Sequence, residues 1–402
     1  MSKACGLLDW RLAQDRLLAA VAPTSTERVP TASASGRVLA QPLIARRNQP
    51  ATDLSAMDGY AVGAGDLTGP WQLVGESAAG HPFTGNLTAG QAVRISTGAL
   101  VPAGAKAILL QENARIDGNQ LSTITGTKAE AKHIRRAAFD FAAGDTLLNA
   151  GTSLSPAALA LALMGGHGIV DVFRRPSLAV IDSGDELASD PAATLPHQIP
   201  SSNGPMLAAM AAPYVSAVER IGPVADRKAN LLAALECASA ADVIVTSGGA
   251  SVGDHDLVRP ALEEWGATID FWRIALKPGK PLMVARRGKT VILGLPGNPV
   301  SSFVTGWLFL LPLLRRMGGH AAPVPQAVMR LVEGDLPATH ERAEFLRGIA
   351  TDDAVAPLDE QDSSALRVLS QANALIYRPP GSPAHPAGSP APVYLLQNGG
   401  IA

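Results

Sequence analysis

Three short segments of the sequence combine glycine with acidic or hydroxyl side chains, a composition suited to binding a phosphorylated ligand. They cover residues 182–186 (DSGDE), 247–256 (SGGASVGDHD) and 294–302 (GLPGNPVSS). Glycines in the second segment let backbone N–H groups approach a phosphate closely. Because Asp254 and Asp256 would repel a bare phosphate, the pattern favours a phosphate bridged by a hard cation such as Mg²⁺. The alternative is a tight turn with a helix N-cap at one of these aspartates.

Two further features could bind an oxyanion. Lys277 and Lys280 lie three residues apart between prolines in KPGKP, which makes a stiff basic corner. Residues 296–299 (PGNP) predict a rigid connection into a helix whose first turn carries Ser301 and Ser302, and a helix N-terminus favours anions. Taken alone, each has a plainer explanation, because the lysines could form a solvated turn and the serines could cap the helix.

One acid outside these segments, Asp58, lies in a glycine-containing turn within SAMDGYAV at residues 55–62. It could face a ligand, although an aspartate that forms the turn is the simpler alternative. The eight histidines show no metal-ligand spacing, which argues against a zinc site. The sequence also lacks the G-x-S-x-G, Walker and G-x-G-x-x-G motifs.

The elements between residues 171 and 318 would bring the three glycine-containing segments together. Apolar strands such as DVIVT at 242–246 alternate with helices there, a pattern that predicts a parallel α/β sheet. Each segment follows a predicted strand, and ligands of open α/β sheets bind outside the carboxyl ends of the strands. We therefore expect the three segments to open on one edge of the sheet.

The rest of the chain is predicted to form other units. Residues 1–47 have mainly helical spacing, whereas residues 48–132 and those after 319 show short β runs separated by Gly, Pro and Asn. The tripeptide at 117–119 (DGN) predicts a hairpin. Ser155 followed by Pro156 predicts a helix start.

Composition restricts the class of protein. The 402 residues carry 33 Lys+Arg and 35 Asp+Glu, a formal charge of −2, which argues against a general nucleic-acid binder. The most apolar tract, residues 300–314, is too short to span a membrane, and no apolar signal region follows Lys3, so we expect a cytoplasmic protein that does not contact membranes. Cys5 and Cys237 form no metal-type cluster, and Cys237 is expected to be a packed hydrophobe in a Leu/Ala helix.

Taken together, the segments resemble the molybdopterin molybdenumtransferase family, which includes the C-terminal domain of gephyrin. SAMDGYA, SGGASVGDHD and PGNPVS in this order are jointly specific to it. The matching stretches are 50–62, 94–105, 174–187, 201–203, 242–256, 277–281, 295–303, 342–348 and 361–366. The sequence departs from the family pattern at Lys106, Ala138, Phe139, Asp182, Ala250 and His255.

This resemblance implies a multidomain fold of the α/β plus β class. It comprises a helical linker domain at 1–47 and 133–170, a β domain at 48–132, a central α/β molybdopterin-binding domain at 171–318 and a C-terminal β domain at 319–402. The implied enzyme converts adenylylated molybdopterin and molybdate into molybdenum cofactor and AMP, with Mg²⁺ required. The family also implies a homodimer, whose site receives residues from both subunits, and transient contacts with molybdopterin adenylyltransferase and molybdoenzyme maturation proteins.

Matching positions in the family imply roles for individual residues. The catalytic group comprises Asp58, Asp140, Glu186, Asp254 and Asp256, of which Glu186, Asp254 and Asp256 would bind the metal. The substrate-binding group comprises Thr97, Asp185, Ser247, Gly248, Gly249, Ser251, Pro296, Asn298 and Pro299. The molybdate-binding group comprises Lys277, Lys280, Ser301, Arg347 and Ser363. A tetrahedral dianion needs converging donors, and arginine offers a planar fork where lysine offers a point charge.

Two other functions remain open at the level of sequence. A molybdopterin adenylyltransferase would use a similar α/β unit, but such enzymes usually consist of that unit alone. A non-catalytic pterin-binding scaffold would resemble the gephyrin domain that binds receptor tails, but the acids and lysines of the site are retained here. Sequence does not distinguish molybdate from tungstate, because both are dianions of nearly equal size.

Overall fold

Helices and strands cover much of the chain in the computed structural model, which describes residues 7–248 and 257–396. The α-helices are, in chain order, α1 (Trp10–Ala19), α2 (Pro156–Met164), α3 (Asn203–Ala211), α4 (Lys228–Cys237), α5 (Val258–Glu264), α6 (Pro299–Thr305), α7 (Leu311–Met317) and α8 (Leu366–Gln371). The strands are β1 (Thr26–Pro30), β2 (Leu43–Ile44), β3 (Leu54–Ser55), β4 (Gly59–Val62), β5 (Trp71–Ser77), β6 (Gln91–Ile95), β7 (Ala107–Leu110), β8 (Ala114–Asp117), β9 (Gln120–Thr123), β10 (Ile134–Arg135), β11 (Thr146–Leu148), β12 (Ile169–Phe173), β13 (Leu178–Ser183), β14 (Leu187–Ala188), β15 (Ile199–Pro200), β16 (Val218–Val224), β17 (Val243–Ser247), β18 (Thr268–Trp272), β19 (Leu276–Lys277), β20 (Met283–Arg287), β21 (Thr290–Leu295), β22 (Val328–Val332), β23 (Ala343–Ala350), β24 (Ala354–Pro357), β25 (Ala374–Arg378) and β26 (Pro390–Leu395).

The chain divides into two compact units. One comprises residues 28–35 and 41–171, and the other comprises the remaining described residues. We refer to them as the β unit and the α/β unit. The four-part division implied by the family resemblance stays a prediction.

The β unit is organised by a six-stranded sheet of order β7-β4-β6-β5-β9-β8. The predicted hairpin is confirmed, because Asp117 of β8 lies opposite Gln120 of β9. The predicted helix start is also confirmed, since the Ser155 side chain caps α2 by accepting a hydrogen bond from the backbone N–H of Ala158.

The central sheet of the α/β unit has the order β16-β13-β17-β21-β20-β18. The first four of these strands are parallel, as predicted, but β20 and β18 are antiparallel to their neighbours. The expectation of a wholly parallel sheet is therefore wrong, and this sheet is mixed. The reason is local: a two-residue turn containing Gly288, at φ +58°, joins β20 directly to β21 and forces antiparallel pairing.

The N-terminal region differs from the mainly helical prediction for residues 1–47. Its one α-helix among the described residues is α1, which begins where Asp9 accepts hydrogen bonds from the N–H groups of Arg11 and Leu12. Pro23 lies just beyond the helix and cannot continue it, and residues 26–30 form β1 instead. The apolar positions correctly predicted α1 but did not predict its short length.

A second sheet of the α/β unit has the order β19-β23-β24-β22-β26-β25, with an additional pairing of β23 and β25. Its strand β19 includes Lys277, the first residue of the lysine corner, so the C-terminal strands and the central region share one sheet. They also share one core, in which Phe345 packs edge-on against Trp10 and lies beside Tyr377 and Tyr394. This shared core fixes the C-terminal strands relative to the central sheet.

Helices α6 and α7 are joined by a π-helical turn, Gly306–Leu310, and almost all of this segment is buried. No helix in the described part of the chain is both long and apolar enough to cross a membrane. Cys237, expected to be packed, is exposed. It lies at the C-terminal end of α4, whose buried face consists of Leu231, Ala234 and Leu235.

Ala138 gives a stability prediction, because it adopts the left-handed conformation at φ 60° without being glycine. Its N–H donates to the carbonyl oxygen of Pro50, which holds the strained turn in place. We expect Ala138→Gly to raise the free energy of unfolding by about 0.5–1 kcal/mol, since glycine adopts this conformation without steric cost. Urea unfolding measures the change. Ala137→Gly, at a neighbour with negative φ, should give no such gain, and equal effects of the two substitutions would contradict the explanation.

Candidate functional site

A cavity of about 680 Å³ lies at the carboxyl edge of the mixed central sheet. Strands β13, β17 and β21 end together there, with Asp182 opposite Ser247 and Ser247 opposite Leu295. The residues predicted from the sequence that line it are Glu186 of the catalytic group, Ser247, Gly248, Pro296, Asn298 and Pro299 of the substrate-binding group, and Ser301 of the molybdate-binding group. The three segments therefore meet at one edge, as the strand pattern predicted.

Backbone geometry at the end of β17 requires glycine. Gly248 has φ +96°, and a Cβ atom there would lie 2.2 Å from the carbonyl oxygen of Ser183. This close approach of two strand ends forms part of the cavity wall. The next predicted residues, Gly249, Ser251, Asp254 and Asp256, lie outside the described residues, and their roles stay predictions.

Asn203 is a lining residue that received no individual role from the sequence. Its Nδ2 donates to the hydroxyl oxygen of Ser247 at 2.9 Å and to the carbonyl oxygen of Gly297 at 2.6 Å. It thereby connects the start of α3 to two other walls of the cavity. In the sequence it belongs only to the matching stretch 201–203, and the folded chain brings Ser247 and Gly297 within its reach.

Asp182 is a buried acid in the cavity wall, with 7% of its surface exposed. Its Oδ2 accepts hydrogen bonds from the hydroxyl of Ser201 at 2.8 Å and from the N–H of Gly204 at 3.0 Å, at the start of α3. Its Oδ1 is buried without a hydrogen-bond partner among the described residues. Burial raises the pKa of this carboxyl above its ordinary value, although both hydrogen bonds oppose the shift.

The raised pKa gives Asp182 a predictable effect on stability. A folded state that holds its proton more tightly than the unfolded chain loses stability as pH rises from the ordinary pKa of 3.8 through the folded value. Asp182→Asn removes this titration. We therefore expect the stability advantage of the wild type over Asp182→Asn to be largest near pH 4 and to shrink towards pH 8. Urea unfolding across this range measures it, and a difference that grows with pH would contradict the burial argument.

The two acids after β13 have different surroundings. Asp185 is exposed, and its Oδ1 accepts a hydrogen bond from the N–H of Asp226 at 3.0 Å. Glu186 is also exposed and lines the cavity, and its carboxylate forms no hydrogen bond or ion pair with the described residues. A free carboxylate beside several hydroxyls is the hard-oxygen donor set that suits Mg²⁺. Within residues 7–248 and 257–396, however, no three His, Cys, Asp or Glu side chains group closely enough to form a complete metal site.

Asn298 and Ser363 connect the cavity rim to the C-terminal strands. Asn298 Nδ2 donates to the Ser363 hydroxyl at 2.9 Å, and the N–H of Val300 donates to the Ser363 carbonyl at 3.0 Å. Ser301, in the first turn of α6, is 5% exposed and lines the cavity. Two members of the predicted molybdate group, Ser301 and Ser363, therefore lie at or next to the cavity.

Arg347 is fully buried, and it reaches the same segment from β23. Its Nη2 donates to the carbonyl oxygens of Glu360 and Asp362 at 3.0 and 3.1 Å, directly before Ser363. Its Nε and Nη1 are buried without hydrogen-bond partners among the described residues. Burial lowers the pKa of this guanidinium, against the opposing charges of Glu360 and Asp362. A buried cation with spare donors is chemically suited to an anion.

The two predicted lysines do not line the cavity, although the adjoining Pro281 does. Lys280 is exposed. Lys277 is half exposed and forms an ion pair of 3.0 Å with Glu344, a partner that the sequence did not indicate. The basic corner therefore adjoins a cavity-lining residue along the chain, and the charge of Lys277 is already paired with Glu344.

The remaining predicted residues lie in the β unit. Asp58 is exposed, and its Oδ1 accepts a hydrogen bond of 2.6 Å from the N–H of Thr97. This hydrogen bond lowers the pKa of Asp58. Asp140 is exposed at the end of the turn that contains Ala138. Asp58 and Thr97, which the resemblance assigned to the catalytic and substrate-binding groups, are thus hydrogen-bonded to each other, while their role towards a substrate stays a prediction.

Comparison with known proteins covers nearly the whole described chain. The family described as "MoeA N-terminal region (domain I and II)" matches residues 8–166, "Probable molybdopterin binding domain" matches 179–316, and "MoeA C-terminal region (domain IV)" matches 332–396. A protein named molybdopterin molybdenumtransferase from Haemophilus influenzae is 34% identical over 81% of this chain and 81% of its own. Gephyrin from Dictyostelium discoideum is 31% identical over 88% of this chain and 57% of its own.

The fold agrees with these sequence matches. The crystal structure of the molybdopterin biosynthesis MoeA protein from Pyrococcus horikoshii OT3 superimposes with a TM-score of 0.82 at 25% identity, covering 97% of this chain and 100% of that chain. The order of the three matched regions is the order of the β unit, the central sheet and the C-terminal strands. This chain therefore belongs to the MoeA family of molybdopterin molybdenumtransferases.

Proposed function

We propose that this protein transfers molybdenum from molybdate to the dithiolene sulfurs of adenylylated molybdopterin and releases AMP. The observation that carries the proposal is the cavity at the carboxyl edge of the central sheet, whose lining residue Asn298 binds Ser363, next to the residues held by a buried arginine with unused donors. The first feature suits an organic phosphate ligand, and the second suits an oxyanion. Family membership supports the same reaction.

The cavity supplies a binding surface for the pterin adenylate. Its volume of about 680 Å³ lies within the range of ordinary small-molecule sites. Ser247, Asn298 and Ser301 offer hydroxyl and amide groups, and the strand ends at Gly248 allow close backbone approach. Holding the adenylate rigidly beside the oxyanion makes their reaction effectively unimolecular, and this proximity supplies much of the rate enhancement. No protein nucleophile is needed.

The oxyanion donors would come from the C-terminal strands and the lysine corner. Arg347 holds residues 360–362 through two carbonyl oxygens, which orients Ser363 towards Asn298. Lys277 and Lys280 contribute charge from the KPGKP corner. In this arrangement the donors orient molybdate, and the burial of Arg347 strengthens its attraction for a dianion.

The residues proposed to hold Mg²⁺ are Glu186, Asp254 and Asp256. When bound there, the metal would offset the charge of the phosphoanhydride and polarise it. Glu186 meets the requirement for such a ligand, because its carboxylate is exposed at the cavity and engaged by no other described group. Asp58, Thr97 and Asp140 would contribute from the β unit in the homodimer that the resemblance implies, and contact with an adenylyltransferase would deliver the adenylate.

A turnover assay tests the proposal directly. Purified protein, adenylylated molybdopterin, Mg²⁺ and molybdate should yield AMP and molybdenum cofactor, each dependent on all components. A second reaction with ATP and unmodified molybdopterin tests the adenylyltransferase alternative, and formation of the adenylate there would favour it. A protein that binds the pterin but yields no product in either reaction would support the scaffold alternative.

A further inference from the structure

We propose that Glu344 competes with the oxyanion for Lys277. Its carboxylate forms an ion pair with Lys277 in the absence of an oxyanion and forms one with Arg378 instead when an oxyanion binds Lys277. The inference deepens the proposed function and rests on it, since it concerns the affinity of the same anion site. Its basis is a row of three charged side chains across two strand pairings. Glu344 would be a positioning residue that acts through Lys277.

The first contact in the row is the ion pair between Lys277 and Glu344. Lys277 of β19 lies opposite Glu344 of β23, and Nζ approaches Oε1 to 3.0 Å. The Lys277 side chain is 50% exposed, whereas that of Glu344 is only 10% exposed. A dissolved anion can therefore reach the lysine but hardly reaches the carboxylate. Any dianion that binds Lys277 therefore competes with a negative charge that is already paired with it.

The third charged side chain of the row is Arg378, on the other side of β23. Glu344 lies directly opposite Arg378 in the antiparallel pairing of β23 and β25, where opposing side chains lie on the same face. Arg378 is 3% exposed, and its Nη2 donates to the carbonyl oxygen of Pro383. Its Nη1 is buried without a hydrogen-bond partner among the described residues. Arg378 therefore has an unused, charged donor beside Glu344.

This arrangement makes release of Lys277 feasible. A nearly buried carboxylate left without a cation would carry a large desolvation cost, which would hold Lys277 in place. Arg378 removes that obstacle, because Glu344 can turn to a second cation that needs an acceptor. The exchange conserves the number of ion pairs: Lys277 moves from Glu344 to the oxyanion, and Glu344 moves from Lys277 to Arg378.

Equilibrium binding of molybdate tests the exchange. Isothermal titration of the full chain with sodium molybdate should give a dissociation constant about tenfold lower for Glu344→Gln than for the wild type, because glutamine keeps the hydrogen-bond acceptor but removes the competing charge. Glu341→Gln, a nearby exposed acid, is the matched control and should leave the constant unchanged. Unchanged or weaker binding by Glu344→Gln would overturn the proposal.

A double-mutant cycle tests whether the effect passes through Lys277. In the Lys277→Gln background, Glu344→Gln should change the dissociation constant by less than about threefold, since the exchangeable cation is gone. An equal fall of the dissociation constant in both backgrounds would overturn the exchange, because the carboxylate would then affect molybdate binding without Lys277. If Glu344→Gln loses its fold, Glu344→Gln combined with Arg378→Met removes both buried charges and should bind molybdate more tightly in the same way.

These results separate the inference from the proposed function. Wild-type protein that binds molybdate and turns over, with no gain in Glu344→Gln, would overturn the exchange alone. Wild-type protein that binds no molybdate in the presence or absence of adenylylated molybdopterin would overturn both. In the turnover assay, the exchange predicts a lower KM for molybdate in Glu344→Gln at an unchanged KM for the adenylate, a split that a purely structural role would not produce.

Discussion

Replacing Glu186 with glutamine is expected to lower the rate of AMP release at least about 100-fold while the protein keeps its fold. The carboxylate is exposed at the cavity and forms no hydrogen bond or ion pair with the described residues, so its loss removes no internal contact. Glutamine preserves size but not the negative charge that a divalent cation requires. AMP is measured by chromatography at several Mg²⁺ concentrations, and the variant should need more Mg²⁺ for half its maximal rate.

The matched control for Glu186 is Glu219→Gln, which neutralises an exposed glutamate on the edge strand β16. It should leave AMP release and its Mg²⁺ dependence unchanged. Thermal unfolding of both variants should coincide with that of the wild type. A Glu186→Gln rate within threefold of the wild type would rule out the proposed metal role.

Substituting Arg347 by lysine is expected to lower molybdate-dependent turnover about 100-fold. Lysine keeps the positive charge but cannot hold the carbonyl oxygens of Glu360 and Asp362 and still present free donors to an anion. Ser363 would then lose its fixed position against Asn298. Turnover at saturating adenylate, followed as a function of molybdate concentration, measures the effect.

Because Arg347 is fully buried, its control must separate activity from stability. Arg330→Lys changes a half-buried arginine of β22 in the same sheet and should leave turnover unchanged. Urea unfolding establishes that the Arg347→Lys preparation remains folded under assay conditions. If a folded Arg347→Lys protein kept its response to molybdate, the oxyanion site would have to lie elsewhere.

The placement of Ser247 and Asn298 illustrates what the sequence could predict. Both follow apolar strands, and the rule that parallel strands end at one edge is sufficient to bring them together. The same rule located Glu186. It did not predict the antiparallel strands β20 and β18, because apolar runs read alike in either direction and only the short turn at Gly288 determines the pairing.

Arg347, Glu344 and Asn203 illustrate what the sequence could not predict. Residue type and family position predicted Arg347 as an anion ligand. They did not predict its complete burial or its hydrogen bonds to the carbonyl oxygens of Glu360 and Asp362. Glu344 lies 67 residues from Lys277 along the chain, so nothing local indicates the ion pair between them. Asn203 likewise depends on partners 44 and 94 residues away. Such contacts are properties of tertiary packing and have no local pattern.

Strand β19 has a consequence for how this protein can change by recombination. Its two residues place the lysine corner inside the sheet formed by the C-terminal strands, and the aromatic side chains of Phe345, Tyr377 and Tyr394 complete a core that begins at Trp10. The C-terminal strands, residues 328–395, are therefore not a separable domain. A chimera that exchanges this region between relatives must also exchange the residues around Leu276 and Trp10, or it will join two halves of one hydrophobic core that were never selected to fit each other.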